Sequence, residues 1–422
     1  MLKNSVRFSA LLWAFLFCAN LNAQFTQSAY SSFGVGEVSW GGYSQNAAMG
    51  GLGISFNNRL FLNNINPALV ATNYEAIFQI GASFDSRTYN NGQTQYSSFT
   101  GGFKDFGLSL PIKYGKWNLA FGLSPYTSVN YSLYETDNTS SASQLDGSGG
   151  IDQVYLTNAF RIGDNLLVGI KGSFLFGSIL REIEYTILDA EGTTFGTTVY
   201  NERRSFSDFT ANVGLNYSFK VGELKKLNLG AFYNLEADVR SRNLTKFESR
   251  DLNGNTSSSD TLVANVDSQI TIPHRLGFGI SIEKKDKYVF GLDLQSQPWS
   301  NYVNEAGVKG QNFGNAFRIA LGGEFTPNNL ELKALSRFTY RFGVHYERTP
   351  YLINSQEVND FGINIGMSLP LNAFWGVSNI NFGATLGRRG SVVDGLIREN
   401  YLKLNLGFSL QDQTWFVRQK YN

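Results

Sequence analysis

Cysteine is almost missing from this chain. Cys18 is the sole one, and it sits in an apolar stretch near the N-terminus. Without a second thiol there is no disulfide framework, and one thiol inside such a stretch offers no thiolate metal site or catalytic cysteine. Histidine is nearly as scarce: His274 and His345 are the only two, far apart in sequence. No nucleophile elbow, paired-carboxylate motif or phosphate loop occurs, and Asp251 to Asp260 departs from a calcium loop at its Gly and terminal Glu positions. These absences point away from an enzyme and away from any metal or cofactor. The 35 basic and 34 acidic residues nearly cancel, so no basic excess points to nucleic acid. No Pro-rich, charged or low-complexity tract divides the chain, and no later apolar run is long enough for a transmembrane helix.

At the N-terminus, Lys3 and Arg7 precede an apolar run from Phe8 to Ala19, and Leu21-Asn22-Ala23 ends on a small residue. This reads as a signal peptide over residues 1–23. The remainder is rich in aromatics and glycine, with 34 Phe, 21 Tyr and 44 Gly. Near the C-terminus, Tyr401 to Leu410 alternates strictly: Leu402, Leu404, Leu406, Phe408 and Leu410 share one face, Lys403, Asn405, Gly407 and Ser409 the other. A side-chain period of two is a β-strand with one apolar and one polar face.

Fourteen such segments can be counted, near residues 76–88, 96–112, 117–134, 150–162, 166–187, 199–219, 227–247, 262–282, 288–299, 314–325, 337–350, 359–370, 378–388 and 400–411. Longer or polar excursions, such as Thr136 to Gly149 and Glu248 to Thr261, alternate with tight links such as Lys113 to Lys116. Long loops on one side and short turns on the other mark an outer-membrane barrel. Lipid cannot satisfy exposed backbone groups, so a spanning sheet must close. The expected fold is therefore all-β: a transmembrane antiparallel β-barrel of about 14 strands over residues 74–422, with the last strand paired to the one near Ala76. A barrel of that size encloses a lumen too wide for strand side chains to fill.

Residues 24–73 fit no barrel period. They hold a small-residue stretch, Asn46 to Gly53, and then Asn63-Asn64-Ile65-Asn66-Pro67-Ala68-Leu69. Pro67 fixes φ and Asn66 can cap or turn, so the segment can fold compactly. It is expected to be a hatch, or plug, inside the lumen. In the third strand, Gly122 and Pro125 mark a break, because proline cannot donate to a ladder.

These parts, in this order, resemble the FadL family of outer-membrane long-chain fatty-acid transporters. The resemblance rests on Asn66, Pro67 and Ala68 after the glycines Gly50, Gly51 and Gly53, and on strand count and length. The ending Trp415 to Tyr421 looks like that of FadL-type proteins in Bacteroidetes. The resemblance implies a fourteen-stranded barrel in the outer membrane, with a hatch containing the Asn-Pro-Ala motif. It also implies an inward kink in the third strand, here at Gly122 and Pro125, that opens a hole from lumen to membrane. The function expected is a channel for hydrophobic, fatty-acid-like molecules, released sideways into the outer-membrane lipid. The resemblance also allows a second reading, an accessory barrel of a secretion or protein-assembly complex that transports nothing and whose partners are other outer-membrane proteins. Charges on the polar face, among them Lys171, Asp208, Asp293, Arg318, Arg341 and Glu347, are expected to be paired or solvated in the lumen.

Overall fold

A computed structural model describes residues 28–137, 141–188, 194–251, 253–328, 334–373, 376–393 and 395–412. Residues 1–27, which include the expected signal peptide, and the last ten residues, which include the ending Trp415 to Tyr421, lie outside these. Seventeen strands form one sheet. The two-residue β1 (Glu37–Val38) belongs to the segment ahead of the wall. The wall runs through β2 (Ala76–Asn90), β3 (Gln95–Lys113), β4 (Trp117–Asp137), β5 (Ser141–Ile162), β6 (Leu166–Leu188), β7 (Thr194–Val221), β8 (Lys225–Asn234), β9 (Ala237–Arg250), β10 (Thr256–Ile272), β11 (Arg275–Lys284), β12 (Tyr288–Gln297), β13 (Ala316–Phe325), β14 (Thr339–Ile353), β15 (Gln356–Ala373), β16 (Gly376–Arg389) and β17 (Arg398–Asp412). β8 and β9 are two halves of one stave, both paired to β7, and β10 and β11 are halves of the next, paired to β9 and β8. The interruptions fall at Leu235–Glu236 and at Pro273–His274. Fourteen staves result, all antiparallel. β17 closes on β2 along its whole length, from Arg398↔Asn90 to Asp412↔Ala76.

The closing strand shows why alternation makes this wall. Leu402 and Leu404 remain 37% and 42% exposed, whereas Asn405 and Ser409 are 2% and 0% exposed. The apolar face points outward to where lipid lies, and the polar face points into the barrel. The same inversion holds elsewhere: Phe121, Phe290, Phe342 and Phe382 are exposed, and Asn118, Asp293, Arg341 and Asn381 are buried.

Several expected loops are strand instead. The polar excursions after Thr136 and Glu248 are largely the tips of β4–β5 and β9–β10. Polar residues there keep the ladder because both faces meet water above the membrane, so alternation of hydrophobicity disappears while hydrogen bonding continues. β7, with 28 residues, is the tallest strand, whereas β12 and β13 have ten each. The wall is therefore high over β5–β10 and low at β12 and β13. A short helix (Ala334–Arg337) lies between β13 and β14.

Candidate functional site

Residues 28–73 touch inward-facing wall groups around the barrel. Gly53 N–H and Ile54 N–H both donate to Asp293 Oδ2 of β12, at 2.7 and 2.8 Å. Lys171 of β6 donates to Asn64 O at 3.0 Å, Arg318 of β13 to Gly50 O at 3.0 Å, and Asn216 of β7 to Ser55 O at 2.8 Å. The α-helical turn α1 (Ser44–Ala47) packs on β15–β17. Charged wall residues thus satisfy backbone groups of the segment that no secondary structure pairs, which is what buried polar atoms require.

Asn66, Pro67 and Ala68 form one small junction. Asn66 caps a 3-10 turn over Pro67–Thr72, its Oδ1 accepting from Ala68 N–H at 3.1 Å, with Pro67 in the first turn where it needs no donor. Its Nδ2 donates to Ile54 O at 2.7 Å and to Leu215 O of β7 at 3.0 Å. The backbone approaches the wall closely here. A Cβ on Gly214 would lie 2.1 Å from Asn66 Oδ1, and one on Gly169 2.3 Å from the Pro67 carbonyl carbon, so both must be glycine. Ala68 packs with Ala120, Ala159 and Leu167. The motif is a structural joint between segment and wall.

Gly122 and Pro125 lie where the wall changes. β3 and β4 are paired from Lys113↔Trp117 up to Phe106↔Leu123. Beyond that rung, β3 keeps β2 as its partner and β4 keeps β5, and among the described residues no rung joins β3 to β4. β4 also has a register shift against β5 between Pro125 and Thr127. Its other edge is met by the N-terminal segment. Ser39 N–H donates to Tyr126 O at 3.0 Å, Ser28 N–H to Asn130 O at 3.0 Å, and Asn130 N–H to Ser31 Oγ at 3.1 Å; β1 pairs at Glu37↔Ser128 and Val38↔Thr127.

Two clusters hold this part of the segment. Glu399 of β17 accepts from Ser28 Oγ and Ala29 N–H at 2.9 Å, and pairs with Arg87. Glu37 pairs with Arg389 at 2.9 Å, and Arg389 also holds Asp360 at 2.8 Å. Asp360 in turn accepts from Tyr401 OH at 2.7 Å and lies 3.3 Å from His345. Burial alone would raise the pKa of Glu37; Arg389 foremost, then Lys403 and Arg87, hold its carboxyl well below the usual carboxylate range. His345 thus serves an ion network, and the described residues contain no group of side chains able to hold a metal. Arg240 and Asp267, on the projecting β9–β10 hairpin, are exposed and paired with Asp208 and Arg242.

Beside the unpaired stretch is a cavity of about 190 Å³ bordered by Glu37, Lys104, Pro125, Ser128, His345 and Arg389. A larger one of about 850 Å³ lies at the outer rim between the β2–β3 and β4–β5 tips, against Tyr96, Tyr131, Leu133, Leu145 and Ile397. Above the lumen, Trp299, Tyr302 and Phe313 from the loop after β12 pack with one another in tilted and edge-on contacts, and Phe313 also meets Tyr351. They join Tyr30, Val35, Tyr126 and Val129 in one buried cluster. Sequence reasoning missed this cluster, because Trp299, Tyr302 and Phe313 come from a loop with no period and the other members from distant elements.

A closed fourteen-stave wall with an apolar exterior and a polar interior defines a β-barrel of the outer membrane. Among solved structures the chain is similar to the CymD monoaromatic hydrocarbon channel (15% identity, TM-score 0.53, covering 90% of this chain and 98% of that one). It is also similar to the Pseudomonas putida toluene transporter TodX (15%, 0.56, 89% and 99%) and to a Pseudomonas aeruginosa FadL homologue (12%, 0.54, 88% and 98%). At these identities the likeness is one of fold. No curated protein sequence matches. The family model for BamG matches residues 1–422, and the chain belongs to the BamG family.

Proposed function

We propose that this barrel passes hydrophobic or amphipathic molecules sideways into the outer membrane, with residues 24–73 as its hatch. The observation that carries the reading is the missing β3–β4 ladder above Phe106↔Leu123. The aromatic cluster over the lumen and the hatch within it favour a lateral route over an axial one. A solute would collect in the rim cavity among Tyr96, Tyr131 and Leu133 and leave through the gap at Lys104 and Pro125. Sideways release suits an apolar molecule, which gains nothing from crossing water. Asn66, Pro67 and Ala68 would then fix the hatch to the wall, and Gly122 and Pro125 would shape the opening. The test is uptake of a labelled lipophile by cells with and without the protein. A third strain carries Thr100→Cys and Val129→Cys bridged by a short bis-maleimide. Uptake that depends on the protein and falls on bridging supports the reading; equal uptake in all three, across a panel of lipophiles, contradicts it.

A second reading has its own observation. The high wall over β5–β10, reaching 28 residues in β7, offers a docking face that transport alone does not need. It would suit an accessory barrel of a secretion or assembly complex. Purification from native membranes separates the readings: a stoichiometric complex with another large barrel, together with no effect on uptake, favours the accessory role.

A further inference from the structure

The free edge of β4 has two candidate partners, and only one can hold it. Extending the β3–β4 register upward from Phe106↔Leu123 would place Thr100 opposite Val129 and Gly102 opposite Thr127. The backbone groups that such rungs would use belong to the stretch from Tyr126 to Asn130. Those are the groups met by Ser28, Ser31, Ser39 and β1. Among the described residues the upper part of β3 has no strand partner on that side, although its Phe99 and Phe103 are outward-facing and exposed. Unpaired backbone is costly at that depth, because lipid supplies no donors or acceptors.

We propose that residues 28–39 act as a substitute strand that holds β4 away from β3. The lateral gap and the docked segment are then one state of a two-state equilibrium. In the other state the segment has left and β3 and β4 are zipped together. The geometry supplies both ends of the exchange: β4 trades one set of backbone partners for another, and β3 gains the partner it lacks. The docked state is held by side chains that the zipped state does not use, chiefly Glu37 on Arg389 and Ser28 on Glu399. Weakening those contacts shifts the population toward closure by the free energy they supply. Any solute or protein that draws the segment off β4 would therefore shut the wall behind it. This inference rests on the gap being the route proposed above, but its test reads closure of the wall and involves no solute, so the two can fail separately.

The test uses the full chain in lipid nanodiscs, with Thr100→Cys and Val129→Cys and with the native Cys18 absent or replaced. Disulfide formation under mild oxidation is followed by electrophoresis. Heat-modifiable mobility shows that the barrel is folded. With the segment intact, the pair is expected to stay reduced. With Ser39→Pro, which removes the donor to Tyr126 O, or with the milder Glu37→Gln, the rate of cross-linking is expected to rise about tenfold or more. No rise in either folded variant would overturn the proposal and make the kink a property of Pro125 alone. Equal cross-linking with the segment intact would overturn it too, because the segment would then not be keeping the strands apart.

Discussion

β3 and β4 are each one strand, yet their two halves differ in what holds them. In the lower half, Phe106 to Lys113 meets Trp117 to Leu123 rung by rung, and Leu108 and Phe121 face outward. In the upper half the strands part, and an inserted piece of chain, anchored by the Glu37–Arg389 ion pair and by hydrogen bonds to Glu399, takes the place of the neighbour. The lower half closes as any barrel wall does, by backbone pairing with apolar side chains on the lipid. The upper half is closed to one side only, by residues more than eighty positions earlier. A wall strand can thus be completed by a separate piece of chain, held by the Glu37–Arg389 ion pair together with the packing of Tyr30 and Val35.

The largest expected effect breaks the upper half. Arg389→Ala leaves Glu37 and Asp360 buried without their cation, and should cost about 3–5 kcal/mol of stability, read as a fall in the denaturant midpoint. Protease sensitivity should increase around residues 28–39 before the wall unfolds. Next comes a charge on the lower half. Phe121→Lys puts an ammonium on the lipid face and should cost about 2–4 kcal/mol if it lies near the midplane. Lys104, a few residues above, is tolerated because it turns inward, where it donates to Gly42 O at 3.2 Å. A similar penalty for replacing Lys104 by Leu would show that the two halves are not different surfaces.

The contrast also explains what the sequence made legible. The alternation of Leu402 to Leu410 and of Trp117 to Leu123 revealed the wall, the count of fourteen and the closure on Ala76, because lipid on one side and a polar interior on the other impose a period of two. Where both faces meet water, as from Ser141 to Gly149, the period vanished and strand read as loop. The upper part of β4 shows the opposite failure. Tyr126, Val129 and Tyr131 are buried by the inserted segment and the loop after β12, so they look like outward residues that merely continue the strand. Pro125 marked the place, but nothing local could reveal that residues 28–39 lie against it. Asn66-Pro67-Ala68 was legible as a turn; its tie to Leu215 O was not, since the partner is 149 positions away.

Smaller effects sharpen the comparison further. Asn66→Ala removes a helix cap and two other hydrogen bonds at the base of the segment, at about 1–2 kcal/mol. It should loosen the segment without changing the β3–β4 gap, which hydrogen exchange of residues 54–72 against residues 124–131 would show. The smallest effect is with acid. Because the Glu37 carboxyl is held below its ordinary range in the folded state, its contribution is fully present above the ordinary carboxylate pKa. It is lost only as pH falls through the lowered folded value. Wild type and Glu37→Gln should therefore differ in segment docking at neutral pH and still differ at mildly acidic pH, converging only in strong acid. Convergence already near pH 5 would mean that Arg389 does not hold Glu37 as described.

The same two strands are joined below and parted above. Paired cysteines in the otherwise unaltered protein test it, with Leu108→Cys and Phe121→Cys in the lower half and Thr100→Cys and Val129→Cys in the upper. The lower pair, ladder partners in the wall, should oxidise readily to a disulfide while the upper pair stays reduced. Disulfides forming at the same rate in both halves would contradict the account.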